Sequence, residues 1–161
     1  MKIVYISYWG VNDGLTLSTV VPQLDILEKD NRVEEVLLFT FERGEFSYDL
    51  NYSKVRFCPI IEKTGPKGVN KFVSFFSGWR QLKRELQIGE QPSLIICRSV
   101  FAGVLGYHAH KKFNLPFVVE SYEPHVDYME ESGVWKKNGL KSRILNKYDM
   151  KAVSYTHLRA H

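Results

Sequence analysis

Apolar residues along this chain recur in two rhythms, short unbroken runs bounded by turn residues and longer stretches spaced three and four apart. The runs predict strands. They fall at residues 2–7 (Lys-Ile-Val-Tyr-Ile-Ser), 36–41, 52–61 with a less regular pattern, 93–97 and 116–119. The spaced stretches predict helices between them. Leu17, Val20, Val21, Leu24 and Leu27 mark the first, with Thr16 or Ser18 as N-cap and Pro22 tolerated only near the first turn. Phe72, Phe75, Phe76, Trp79, Leu82 and Leu86 form a long stripe across residues 70–87, a small-residue helix covers 99–113, and a helix with a basic outer face covers 141–152. Strands alternating with helices imply right-handed crossovers and an α/β, Rossmann-like fold: an open, mainly parallel sheet with helices on both faces.

Composition narrows this picture only slightly. With 161 residues, 44% of them hydrophobic, the chain can bury one genuine core. Cys58 and Cys97 sit far apart inside apolar runs and read as buried thiols of a reducing compartment. No signal-peptide pattern precedes the first strand, and no run of apolar residues is long enough to span a bilayer, so a cytoplasmic protein is expected. The net charge of +4 gathers in lysines at 63–71 and 136–151. That leaves room for an anionic partner without demanding nucleic acid. The last nine residues, Val-Ser-Tyr-Thr-His-Leu-Arg-Ala-His at 153–161, resemble the translation of a transposase sequencing adapter. They are expected to be a non-native tail on a domain of residues 1–152 whose natural chain continues, and His157 and His161 are set aside as ligands.

Candidate chemistry lies where strands end, since open α/β sheets bind ligands outside their carboxyl edge. Gly10, Asn12, Asp13 and Gly14 follow the first strand, where backbone amides and a helix N-terminus can hold a phosphate or a sugar hydroxyl. A turn that needs glycine explains them equally. The spacing is not Gly-x-Gly-x-x-Gly, so the dinucleotide fingerprint is absent despite Glu42 after the second strand. Arg98 ends the fourth strand, placed either for a ligand or for an ion pair with a carboxylate such as Glu120. After the fifth strand comes Glu120-Ser-Tyr-Glu-Pro-His-Val-Asp127. Glu120, Glu123 and His125 are candidate catalytic groups, as general base, partner of the histidine, or grip on a sugar hydroxyl, and Tyr122 and Asp127 are candidate substrate contacts. A metal site there would draw all its ligands from one short loop, without the wider constellation a closed site needs. The alternative is a polar loop in which Asp127 caps a short helix at 128–131.

Two further patterns have structural explanations beside functional ones. His108 and His110 lie two apart on a predicted helix and so cannot share a metal; exposed or packing histidines are the expectation. Lys67 and Lys71 beside Phe72, Phe75, Phe76 and Trp79 can lie on an anionic membrane surface, but an aromatic stripe at helical spacing is expected to pack inward with a solvated rim.

Together these residues resemble the amino-terminal domain of family 4 glycosyltransferases, retaining enzymes of the GT-B architecture. The resemblance covers residues 1–152. It is carried by the opening strand, the loop leading to Gly14-Leu15, Leu94-Ile-Ile-Cys-Arg-Ser-Val-Phe-Ala-Gly103, Leu115-Pro-Phe-Val-Val-Glu120, and the segment from Glu123 to Gly133-Val-Trp135. It implies transfer of a sugar from a nucleotide-sugar donor to a saccharide or lipid-linked acceptor hydroxyl, with retention, no essential metal and no cofactor beyond the donor as co-substrate. It also implies a role in surface polysaccharide or glycolipid assembly, at the inner face of the membrane. In such enzymes the first loop lies near the donor phosphates, which maps to Gly10 to Gly14. A polar residue after the fifth strand contacts transferred sugar or acceptor, for which His125, Glu123 and Glu120 are the candidates. Asp13-Gly14-Leu15 stands where many relatives have paired glycines. The donor half is not in residues 1–152, so this segment alone is expected to be inactive. The rival readings are a Rossmann-like nucleotide-binding enzyme and a non-catalytic binding domain on the same half-scaffold. A receiver-type module would need acidic residues where Tyr8-Trp9 and Pro59-Ile60 stand.

Overall fold

The computed structural model describes residues 1–48, 50–62, 69–120 and 139. Five strands, β1 (Lys2–Ser7), β2 (Glu35–Glu42), β3 (Val55–Ile61), β4 (Leu94–Arg98) and β5 (Phe117–Glu120), form one sheet in the order β3-β2-β1-β4-β5. Every neighbouring pair is parallel. Helix α1 (Val21–Lys29) covers one face, while α2 (Val69–Gln87) and α3 (Val100–Phe113) cover the other. The Rossmann-like α/β fold read from the alternation of elements is the fold observed. Tyr122, Glu123, His125, Asp127, Lys67, the helices expected over 128–131 and 141–152, and the tail at 153–161 lie outside the described residues.

Successive side chains of a strand point to opposite faces, so parallel neighbours divide the core in two. Val4, Ile6, Phe39, Phe41, Ile95, Cys97 and Phe117 pack against Leu82 and Leu86 of α2 and Ala102, Leu105 and Ala109 of α3. Ile3, Tyr5, Val36 and Leu38 pack against Val20 and Leu24 on the α1 side. Burial on both faces is why these strands read as continuous apolar runs.

Helix α3 is rich in small residues because it lies very close to the sheet. A Cβ on Gly106 would sit 2.5 Å from the Cys97 sulfur, and one on Gly103 would sit 2.9 Å from Val119. Both cysteines are buried free thiols. Burial pushes Cys58 up to about 11 and Cys97 higher still, so neither is a reactive thiolate at neutral pH.

Three expectations need correction. The first helix does not begin at a Thr16 or Ser18 cap. Asp13 accepts the Leu15 amide at 2.9 Å, and Thr16–Val20 forms a π-helical turn in which the Val21 N–H donates to the Thr16 carbonyl, with Pro22 entering at the start of α1. Thr16 therefore faces the core and Leu17 the solvent. Strand β3 begins at Val55 and not at Tyr52, because Tyr52 and Ser53 bond to α1 instead of the ladder, through Asp25 at 2.7 Å and Glu28 at 2.8 Å. The aromatic stripe of α2 is divided: Leu82 and Leu86 are buried and Phe75 and Trp79 pack against them, but Phe72 and Phe76 point outward.

Candidate functional site

The strand order reverses direction between β1 and β4: the chain builds β2 and β3 on one side of β1, then returns to place β4 and β5 on the other. At such a switch point the loops leave the carboxyl edge on opposite sides, and a cleft opens between them. Here the loop after β1 meets the β4–α3 turn, with Ser7 in register with Arg98 and Arg98 with Glu120.

Alternation puts the last side chains of four strands, Ser7, Thr40 with Glu42, Arg98 and Glu120, on the α1 face. They form a polar band under the first turns of the helix. Ser7, Thr16, Thr40, Glu42 and Arg98 are all buried there. Ser7 Oγ lies 3.3 Å from Thr16 Oγ1, and Arg98 Nε donates to Thr19 Oγ1 at 3.2 Å. Glu120 does not form the ion pair with Arg98 that the sequence left open. Its carboxylate accepts from Gln23 Nε2 at 3.1 and 3.2 Å and from the Tyr5 hydroxyl at 3.1 Å, the hydroxyl being shared with Gln23 Oε1 at 2.7 Å.

Glu42 holds the loop after β1 and is not poised for a ribose. Only 2% exposed, it accepts the Val11 amide at 2.9 Å and is hydrogen-bonded by Thr40 Oγ1. Gly10 is favoured by contact and not by a left-handed backbone: a Cβ there would lie 2.6 Å from Glu42 Oε2, the end of a flexible side chain. Asn12 donates to the Ser47 carbonyl at 3.0 Å, and Asp13 turns the chain into the helix. Gly14 has open space around it, nothing lying within 4 Å of its would-be Cβ.

Across the switch point Ser99 adopts φ 89°, a strained conformation for a side-chain-bearing residue, while its hydroxyl caps α3 and its amide donates to the Glu120 carbonyl at 3.0 Å. Strain of this kind persists only where surrounding bonds fix the backbone. Beside it the Tyr8 ring stacks on Phe101 with centroids 4.6 Å apart, Trp9 meets Tyr8 edge-on at 6.0 Å, and the Arg43 guanidinium lies 4.9 Å over Tyr8. Burial opposes its charge, yet the Tyr8 and Glu62 contacts raise the Arg43 pKa above its ordinary value.

The structure thus brings together Gly10, Arg98 and Glu120 at one edge, with Asn12 and Asp13 shaping the loop. Tyr5, Gln23, Thr19 and the Tyr8–Phe101 pair were not singled out from sequence. Gln23 carried a readable signal, a polar side chain three residues after Val20 and four before Leu27 on the inward face of α1. His110 and His108 serve packing, the former's Nδ1 lying 2.9 Å from the Leu115 carbonyl and the latter's ring 5.8 Å from Trp79. Among the described residues no cluster of His, Cys, Asp or Glu could hold a metal ion, and no helix is long and apolar enough to cross a membrane.

No protein-family model and no curated protein sequence matches this chain. Among solved structures it is similar to the apo form of WaaB, a lipopolysaccharide outer core galactosyltransferase, with a TM-score of 0.55 and 17% identity over 74% of this chain and 32% of that one. It is also similar to a ugt transferase from Siraitia grosvenorii in complex with UDP, with a TM-score of 0.49 and 14% identity over 84% of this chain and 28% of that one. The likeness to WaaB shows the fold. The chain spans about a third of that galactosyltransferase's length.

Proposed function

We propose that this chain is the amino-terminal, acceptor-side domain of a GT-B glycosyltransferase that moves a sugar from a nucleotide-sugar donor to an acceptor hydroxyl. The observation that carries the reading is the buried polar band at the switch point, set in a sheet that resembles a galactosyltransferase over 74% of this chain. Membership of family 4, retention at the anomeric carbon, and a role in surface polysaccharide or glycolipid assembly follow from the sequence resemblance. In the transfer, the bond between the anomeric carbon and the diphosphate oxygen breaks as a bond to the acceptor oxygen forms, and the acceptor proton must leave.

Each part of the edge has a role in this scheme. The loop from Gly10 to Gly14, braced by Glu42, lies toward the donor phosphates. Arg98, buried beneath the turn that leads into α1, supplies a fixed positive charge at the switch point that stabilises negative charge growing on the departing diphosphate. Glu120, tied to Tyr5 and Gln23, fixes the end of β5 and so directs the following segment. In that segment Glu123 and His125 contact the transferred sugar or accept the acceptor proton, with Tyr122 and Asp127 as further substrate contacts. The donor nucleotide falls to a second domain in a longer protein.

The test is to recover the uninterrupted gene, express its product and follow sugar transfer from nucleotide sugars, reading anomeric configuration by NMR. Transfer with retention is expected, and Arg98→Ala and His125→Ala should each lower kcat about a hundredfold, the typical loss for a transition-state contact. A gene product without a nucleotide-sugar domain or any transfer overturns the assignment. Activity within a few-fold of wild type in both variants removes the edge from the chemistry.

A further inference from the structure

Helix α2 carries a surface that its place in the core does not explain. Its inner side is buried against the sheet through Leu82 and Leu86. On its outer side Phe72 is 80% exposed and Phe76, one turn on, 63% exposed, with Val73 and Ile61 alongside, both also exposed. Single exposed apolar residues are ordinary, but two phenylalanines with two aliphatic neighbours form a patch. Arg80 and Arg84 follow at the same spacing of four, both exposed and neither ion-paired among the described residues. Phe72, Phe76, Arg80 and Arg84 thus form one ridge of the kind by which helices interlock, two rings followed by two guanidinium groups. The open groove beside it, of about 440 Å³, is lined by Ile61, Val73, Phe76, Arg80 and Arg84 and holds no carboxylate to pair with the arginines.

We propose that this ridge is a self-association surface, on which α2 of a second copy of the chain packs antiparallel about a two-fold axis level with Gly78. That axis sets Phe76 against Arg80 of the second copy and Phe72 against its Arg84, and the reverse, so each guanidinium lies over a ring. The order along the ridge makes it self-complementary. Rings at one end and cations at the other match only when the helix meets itself reversed, whereas parallel pairing would oppose arginine to arginine. A guanidinium is weakly hydrated, so covering it with a ring costs less than covering an ammonium, and the rings and Val73 leave water together. Ser77, exposed near the axis, is small enough for the two helices to approach closely. Extension of the sheet by a second copy is disfavoured, because β3 is the sheet's edge and carries Pro59, which cannot donate to a new ladder. The inference rests on exposure and spacing along α2, not on the sugar-transfer reading, and its test involves no sugar.

The experiment is sedimentation equilibrium of the full chain over a series of concentrations, in about 0.15 M salt so that repulsion between copies is largely screened. One helix face is a small interface, so a concentration-dependent equilibrium of monomer and dimer is expected. R80E/R84E and F72R/F76R should each weaken association roughly tenfold or more, since every contact between ring and cation is lost. Circular dichroism should not change, because all four side chains are exposed. Mixed in equal amounts, the two variants should dimerise with each other. The antiparallel axis sets the carboxylates of R80E/R84E against the guanidinium groups introduced by F72R/F76R, while the remaining rings and arginines still meet. The proposal is overturned by a monomer at every concentration, which leaves the face to a different partner, or by R80E/R84E dimerising as tightly as wild type. It is equally overturned by a mixture of the two folded variants that stays monomeric. If F72R/F76R loses its fold, R80E/R84E alone decides: weakened association supports the pairing and undiminished association overturns it.

Discussion

The two faces of the sheet end differently at the carboxyl edge. On the side of α2 and α3 the strands remain apolar to their last turn, through Phe41, Cys97 and Val119, and α3 presses close enough that glycine is required at 106. On the side of α1 the same strands end in Ser7, Glu42, Arg98 and Glu120, each hydrogen-bonded to a neighbour. The difference is one of parity, since residues adjacent in sequence fall on opposite faces. Close packing on one face holds the sheet while the other is free to carry charged groups at the switch point. A buried polar band costs stability unless every member is bonded, which is why Tyr5, Gln23, Thr16 and Thr19 supply partners.

The comparison is most sharply tested where packing is tightest. Gly106→Leu drives a branched side chain into Cys97 and Phe117, with a first carbon only 2.5 Å from the sulfur, in a core with no room to yield. We expect a loss of about 3 kcal/mol, measured as a lower midpoint in urea unfolding. A loss below about 1 kcal/mol would mean that α3 can lift from the sheet and that the apolar face is not the rigid one.

The polar face should respond more gently and through bonds. Glu42→Ala leaves the Val11 amide and Thr40 hydroxyl without their acceptor, at a cost of about 2 kcal/mol. Gly10→Ala crowds the same carboxylate and should cost about 1 kcal/mol, since only the end of a flexible side chain must move. Gly10→Ala together with Glu42→Ala should then cost no more than Glu42→Ala alone, because the crowded atom is gone. Full additivity in this double-mutant cycle would show that Gly10 is needed for some other reason. Gly14→Ala, in open space, is the control and should be neutral or slightly stabilising.

These tests also mark what the sequence could and could not disclose. The existence of β1, β2 and β4 was plain in their apolar runs, because strands buried on both faces need no polar alternation. Which face each terminal polar residue took was not, since parity depends on a register that a slip of one residue reverses. So Arg98 was placed at the edge correctly while its bond to Thr19, in the π-helical turn before α1, was not foreseen. The stripe on α2 misled for a related reason. Phe72, Phe75 and Phe76 all satisfy helical spacing, yet a helix packed on one side buries only part of an arc that wide. Glu42, at the end of β2, braces the loop after β1, in keeping with the missing dinucleotide fingerprint. Of the segment after Glu120 the sequence names Tyr122, Glu123, His125 and Asp127, which lie outside the described residues.

The face that packs α2 does carry charge, but at its opposite end, and the effect there should be the smallest. Arg56 on β3 bridges Glu35 at 3.1 Å and Glu85 of α2 at 2.5 Å. The Arg56 hydrogen bonds hold the Glu85 carboxyl below its ordinary value, against the opposing pull of burial. A carboxyl held low in the folded chain binds its proton later than in the unfolded one. Its contribution is therefore present above the ordinary value of 4.5 and disappears as pH falls through the lower folded value. Glu85→Gln should cost about 0.5 kcal/mol at neutral pH, as exposed pairs do, and progressively less as pH falls below the ordinary carboxyl value and through the lower folded one. Urea midpoints of the two proteins should thus converge on acidification. If they stay equally far apart throughout acidification, glutamine has disturbed the packing of α2 instead of removing a charge. If they coincide at neutral pH as well, Arg56 is held by Glu35 alone, and the charges on this face tie an exposed edge without any of the dependence on complete pairing that the buried band at the other end requires.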